Sequence, residues 1–457
     1  MFAPVLTPGA YLFTTDDTPG TLIATKVLAP QCFLGAWSDG PLMGIPVGRI
    51  PVAWTGLLLA MAPLRFFVNW VHGMGLFFAS LALGGFLRTR GFSWWSCLLG
   101  AVAAFWLGTN LTLTYAGHIP KFAVLMFMGI SLFCLGKASG HRPVAWGLLA
   151  GVAMGFMLIE QQDVGLFCAM FVGAYAAFIH IRRAGWGKVR KWLPVLAGTA
   201  GVALLTAAPT LLSSYVANVQ GAANVQDEDP QAKWEFVTQW SQPPGESVDF
   251  IAPGYMGWRS GEPDGPYWGV CGQSAGWDRT HQGFMNFRLE SVYVGAIPIV
   301  FALFAVVAAI LCPRSQKSEV RSQKSEGGGQ KPLVIGQESL VIGRKSEVGA
   351  QKSEVGGQTL DLGDSDASAS TLHPPPSTIL SDHRAEILFW GIAALVALLL
   401  AFGKFLPLYK LFYQLPVVNA IRCPNKFLQP FQVMLGILAA YGFDIMTRRC
   451  WRPARGE

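Results

Sequence analysis

The chain has 457 residues, of which 52% are hydrophobic and only 13% charged, with a mean hydropathy of +0.39. That balance excludes an ordinary soluble domain and points to a protein of the bilayer. The formal charge of +7 falls largely in short loops between apolar runs, where topology accounts for it, so it carries no argument for nucleic acid.

Residues 1–50 read as an outer segment containing "FTTDDTPG", with Asp16 and Asp17 side by side. No signal peptide or apolar span precedes them, and the reading expects a further helix upstream to carry this segment across. Nine runs are then long enough to cross a hydrocarbon core of ~30 Å as helices: 66–88, 94–114, 120–137, 143–160, 163–181, 192–213, 291–312, 386–403 and 427–446. Residues 51–63 and 405–417 are apolar but proline-bearing and too short to span, which suits half-helices or interfacial pieces.

Every second loop is basic. Arg88 and Arg90, then Lys137 and Arg142, then Arg182, Arg183, Lys188, Arg190 and Lys191, and finally Arg448, Arg449, Arg452 and Arg455 mark the cytoplasmic side. The alternation places the His118 loop, the Glu160 to Asp163 turn, the long loop 214–290 and the segment 404–426 on the outer face. Residues 313–385 interrupt the pattern. "KSEV" or "KSE" and "LVIG" recur there in a Gly, Ser and Gln-rich tract ending in "HPPPS", which predicts a disordered cytoplasmic insert between a bundle of residues 1–312 and a C-terminal pair of spans in 386–457. The eight cysteines show no CxxC pair and no metal-ligand spacing, and of them only Cys32, Cys271 and Cys423 would face outward.

The chemistry gathers at that outer face. In "GHIPK" the proline suits the first turn of a helix, so His118 and Lys121 stand at a helix start whose unpaired N–H groups add partial positive charge, a natural berth for a lipid phosphate. "IRCPNKF" repeats the design with Arg422 and Lys426. The plainer alternative is a snorkelling lysine and an ordinary loop histidine, but cations at two outer helix ends oppose the positive-inside trend and call for an anion. Carboxylates form the other half: Asp16 and Asp17, and Glu160 and Asp163 in "IEQQD", each of which also reads as a simple turn or a solvated loop end. The long outer loop holds Trp234, Trp240, Tyr255, Trp258, Tyr267, Trp268 and Trp277, which suit either a carbohydrate or the interfacial aromatic belt. His72, inside the first span, reads as packed or as part of a proton path.

Taken in order, "AWSDGPLMGIP", "GHIPK", "IEQQD", "AAPTLL", "PYWG", "YVGAIPI", "AFGKFLPLYKLFYQLP" and "IRCPNKFLQPF" resemble the bacterial YfhO membrane protein family, itself similar to the GT-C class of polytopic glycosyltransferases. The likeness covers most of the chain outside the insert, and the Gly-His-x-x-Lys element is its most specific part. The resemblance implies an all-α transmembrane bundle of about nine spans in the bacterial inner membrane. It also implies sugar transfer on the outer face from a polyprenyl-phosphate donor to a cell-envelope glycan or lipid. In that scheme Asp16 or Asp17 is the base, His118, Lys121, Arg422 and Lys426 surround the donor phosphate, and Glu160, Asp163, Tyr267 and Trp268 are secondary candidates. No resident cofactor is called for, and a divalent cation at the phosphate is left open. Longer members of the family continue with further helices beyond the last span. The rival readings are a lipid-linked sugar transporter or flippase, which would show inverted repeats and broken helices, and a non-catalytic membrane scaffold.

Overall fold

The structure, a computed structural model, describes residues 7–29, 36–38, 45–47, 52–140, 142–215, 229–257, 266–311, 376–415 and 418–450. In chain order these form α1 (Pro19–Leu28), a two-stranded antiparallel ribbon of β1 (Ala36–Ser38) and β2 (Ile45–Val47), α2 (Trp54–Met61), α3 (Leu64–Thr89), α4 (Trp94–Phe105), α5 (Gly108–Ala116), α6 (Ile119–Ala138), α7 (Pro143–Glu160), α8 (Gln162–Ala184) and α9 (Val189–Tyr215). There follow α10 (Pro230–Thr238), the single turn α11 (Trp277–Thr280), α12 (Ala296–Leu311), α13 (Pro376–Ala401), α14 (Pro407–Tyr413) and α15 (Leu428–Cys450). Apart from the ribbon, the regular structure among the described residues is helical, as expected of a membrane bundle.

The span count differs from nine. Among the described residues seven helices are long and apolar enough to cross a membrane: α3, α6, α7, α8, α9, the part of α13 from His383 and the stretch Pro424–Arg448 that contains α15. The predicted span 94–114 is a pair, α4 and α5, bent by 42° at Trp106 and Leu107. The predicted span 291–312 yields a helix of 16 residues, because the chain from Ser291 to Gly295 is not helical and lies against the broken pair. The break itself is filled. Asn110 Nδ2 donates to Phe105 O at 3.2 Å, Ser291 N donates to Thr112 Oγ1 at 2.8 Å, and Gly108 lies so near Tyr293 that a side chain there would meet its carbonyl at 2.6 Å. Of the predicted insert, residues 313–375 lie outside the described residues, and the helix expected to begin at 386 is already formed at Pro376.

α6 and α15 are central, with 78% and 83% of their spanning windows buried inside the protein, whereas α9 is peripheral at 22%. α3 packs on α6, α6 on α7 and α7 on α9, while α15 packs on α4, α12 and α13, so the last two long helices belong to the same bundle as the first. Lipid supplies no hydrophobic drive between helices, so close approach through small residues decides the contacts. On α6, Gly129 sits where a side-chain carbon would come within 2.9 Å of Ala79 O, and Gly75 of α3 faces Phe122 in the same way at 3.0 Å.

The two ends of the bundle differ chemically. At one end Arg90 pairs with Glu386 at 3.1 Å, Arg448 pairs with Asp444 at 2.7 Å, and Arg183 donates to Ala138 O at 2.8 Å, closing the C-terminus of α6. Asp444 also accepts from Ser93 N at 3.1 Å and Ser96 Oγ at 2.9 Å, so it helps cap α4. The opposite end carries His118, Glu160, Asp163 and Lys426, the grouping that the loop charges predict for the outer side.

Candidate functional site

The N-terminal loop is tied to this second end by backbone and side-chain bonds. Asn69 of α3 accepts from Leu12 N at 2.9 Å and donates to Ala10 O at 3.1 Å. Asp16 N donates to Ala116 O at 2.9 Å and Thr15 Oγ1 to the same oxygen at 3.0 Å, which pins the loop to the C-terminus of α5. Gly117 permits this. Its φ of +88° lies in the left-handed region, and a Cβ there would come within 2.7 Å of Thr14 Cβ and 3.0 Å of Asp17 N. The glycine of "GHIPK" is therefore needed both for the turn and for the approach of the aspartate loop.

The neighbouring aspartates take different positions. Asp17 Oδ2 accepts from Ile119 N at 3.3 Å, at the first residue of α6, and burial pushes its pKa up, with the adjacent Asp16 charge adding to the rise and the Ile119 N–H opposing it. Asp16 is the more open of the two, its side chain 55% exposed, and its Oδ2 lies 3.5 Å from His118 Nε2. His118 is not a cation. Burial first, then the charges of Lys121 and Lys426, hold its pKa down to about 3, so it meets Asp16 as a neutral imidazole.

The helix start also differs from expectation. Ile119 N is shared between Gly117 O at 2.8 Å and Asp17, Pro120 has no N–H, and Lys121 N donates to His118 O at 3.1 Å. The first-turn N–H groups are spent, so an anion here would depend on ammonium groups. Two are present. Lys426 pairs with Asp163, and Lys121, in the first turn of α6 and only 5% exposed, has no hydrogen-bond or ion-pair partner among the described residues. Lys121 interacts with Asp163 and His118 through charge without bonding either, which brings His118, Lys121, Asp163 and Lys426 into one cluster beside Asp16 and Asp17.

Three sequence candidates lie elsewhere. Arg422 stacks on Phe236 and Trp240, its guanidinium 4.2 Å and 4.4 Å from the ring centres, on the α10 side of the cluster. Tyr267 is fully buried. Its hydroxyl donates to Glu246 at 2.7 Å and its ring lies under Arg288, which in turn binds Glu246 at 2.9 Å and Asp249, so Tyr267 belongs to an internal charge network that folds the long loop. Trp268 is exposed and packs edge-on to Tyr255.

Glu160 is occupied as a cap. Its carboxylate accepts from Thr55 N at 3.1 Å and Thr55 Oγ1 at 2.6 Å at the start of α2, while Lys26 Nζ donates to Leu59 O at 2.6 Å and Ala62 O at 2.7 Å at the end of that helix. An eight-residue helix flanked by Ala53 and Ala62 has no caps of its own, so charges of opposite sign from distant segments complement its dipole. The lack of local capping residues in "VAWTGLLLAMAP" was the one sequence signal for these two roles. With its ends fixed, α2 lies against α3 and α6 and leaves a narrow apolar crevice lined by Leu58, Met74, Phe78, Phe122, Ala123 and Met126. His72 is buried next to it, edge-on to Phe122 at 4.8 Å.

Among the described residues no three His, Cys, Asp or Glu side chains converge as a metal site, and Cys271 and Cys423 are free thiols; Cys32 lies outside the described residues. Comparison with protein-family models, with curated proteins and with solved structures finds no match to the chain.

Proposed function

We propose that the protein is an integral membrane glycosyltransferase that moves a sugar from a polyprenyl-phosphate donor to a cell-envelope acceptor at the His118 end of the bundle. The observation that carries this reading is the ammonium of Lys121, which has no bonding partner among the described residues and lies in one charge cluster with Lys426 and His118 beside Asp16 and Asp17. A lipid phosphate supplies the anion for Lys121 and Lys426, and its isoprenoid tail would lie along the bilayer-embedded helices. In the transfer, the acceptor hydroxyl oxygen bonds to the sugar's anomeric carbon and the bond from that carbon to the phosphate oxygen breaks. The lipid phosphate leaves with the electron pair, stabilised by the two lysines, and the hydroxyl proton passes to Asp16. Neutral His118 lies beside Asp16 without quenching its charge, and Asp17 meets the start of α6.

A lipid-linked sugar transporter is the second reading, favoured by the broken span α4–α5. The filled state of the break counts against it, since Asn110 already takes the freed carbonyl of Phe105. The test uses purified protein with a radiolabelled polyprenyl-phosphate sugar. Asp16→Asn is expected to bind donor like the parent while turnover falls roughly a hundredfold or more. Translocation of the donor across proteoliposomes with no release of polyprenyl phosphate would replace transfer with transport.

A further inference from the structure

A second cleft, of about 310 Å³, opens between α10, the turn at 273–278 and the end of α13. That volume is at the lower end of small-molecule sites, roughly 300–1,000 Å³. Its wall combines one aromatic ring with fixed pairs of amide and carboxylate. Trp234 is half-buried and held by Tyr413, edge-on at 5.0 Å, and by Tyr409 at 6.1 Å. Gln231 Nε2 donates to Glu235 Oε1 at 2.8 Å, and Gln273 Nε2 donates to Asp278 Oδ1 at 3.2 Å. Lys404 supplies the one cation of the lining.

We propose that this cleft binds the glycan acceptor, as a neutral or N-acetylated saccharide. Sugar hydroxyls donate and accept at once, and side-by-side carboxylate and amide groups answer both needs, while the apolar face of a pyranose ring packs on an indole. Two carboxylates against one ammonium disfavour uronates and phosphates, and set the cleft apart from the lysine cluster of the first site. A lipid-facing belt would not place two carboxylates beside the tryptophan. The cleft is joined to the first site by the chain before α15: Cys423 N donates to Val237 O at 3.0 Å, Asn425 N to Trp240 O at 3.0 Å, and Lys426 follows at once with its bond to Asp163. An acceptor chain held on α10 would thus lead toward the donor mouth past Arg422, which stacks on Phe236 and Trp240 of the same segment.

The acceptor role rests on the proposed transfer, but saccharide binding does not, so the two fail separately. Detergent-solubilised full-length protein is titrated calorimetrically with triacetylchitotriose, mannotriose and trigalacturonate. At least one of the first two is expected to bind and trigalacturonate to bind more weakly. Trp234→Ala should weaken the neutral ligand about tenfold, the size of one lost aromatic contact. Asp278 is exposed and outside the loop's buried charge network, so Asp278→Asn tests the same wall without risk to folding and should weaken binding roughly three- to tenfold. Lys121→Met should leave it unchanged. The inference is overturned if neither neutral trisaccharide binds, if trigalacturonate binds best, or if both wall variants bind like the parent. Saccharide binding that survives in a protein without transferase activity would sustain the cleft and remove the transfer reading, whereas donor transfer without saccharide binding would do the reverse.

Discussion

Replacing Lys121 by methionine separates a binding lysine from a structural one, because the two roles predict opposite signs. The side chain is 5% exposed in the first turn of α6 and has no bonding partner among the described residues, while Asp163, the carboxylate nearest in charge, is already bound by Lys426. Methionine keeps the length of the stem and removes an ammonium that no hydrogen bond or ion pair among the described residues holds, giving up only its longer-range attraction to Asp163, so the melting temperature should stay level or rise. Donor affinity should fall. A charge-assisted hydrogen bond to phosphate contributes about 1.5–3 kcal/mol, which at about 1.4 kcal/mol per decade is roughly 10- to 150-fold in Kd. Thermal unfolding can be followed by thiol labelling, since Cys97, Cys134, Cys168 and Cys271 are buried and become reactive only on opening, and donor binding by equilibrium measurement with a polyprenyl-phosphate sugar. Unchanged donor affinity together with a lower melting temperature would refute the reasoning and return Lys121 to a packing role.

Three other outcomes follow from the same geometry. Asp17→Asn keeps an acceptor for Ile119 N–H and sheds a charge that burial and Asp16 disfavour, so it should melt at or above the parent at pH 7, whereas Asp17→Ala loses the contact and costs about 1 kcal/mol. Because the folded pKa of Asp17 is raised, the folded state holds that proton more tightly than the unfolded chain, and the gap between parent and Asp17→Asn should close as the medium is acidified through that pKa. For His118 the sign is reversed: the folded state stays neutral down to about pH 3 while the unfolded chain protonates below 6.5, so stability is lost as pH falls across that window, and melting scans at pH 7 and 4.5 should show a smaller loss in His118→Gln. A cysteine placed at the exposed position of Tyr255 should react with an impermeant maleimide in intact cells and one at Trp186 should not; labelling at 186 alone would invert the membrane orientation.

The bilayer bundle was legible because apolar length and loop charge are local properties, read from windows of about twenty residues. The break at Trp106 and Leu107 was not, because nothing within 94–114 forbids a continuous helix. The groups that fill it come from Ser291 and Tyr293, 179 residues away in the case of the Ser291–Thr112 bond. The same distinction runs through the site. "GHIPK" announced a helix start with His118 and Lys121 at it, and α6 begins at Ile119 as the proline suggests, while the left-handed turn at Gly117 emerged only in three dimensions. The charge state of His118 and the spending of the α6 N–H groups depend on what the 14–17 loop and the start of α15 bring to that turn, which no window around residue 118 contains. Arg422 and Glu160 show the limit most clearly. Each has the residue type that phosphate or proton chemistry needs, and each makes contacts distant in sequence: Arg422 stacks on two aromatic rings, its buried Nε without a hydrogen-bond partner among the described residues, and Glu160 serves the uncapped start of α2. Lys121 is the converse case. Its local sequence allows a lysine that merely reaches for the interface, and only the three-dimensional arrangement shows its ammonium without a bonding partner among the described residues, in the same charge cluster as Lys426, which is why the proposed donor site is argued from that residue.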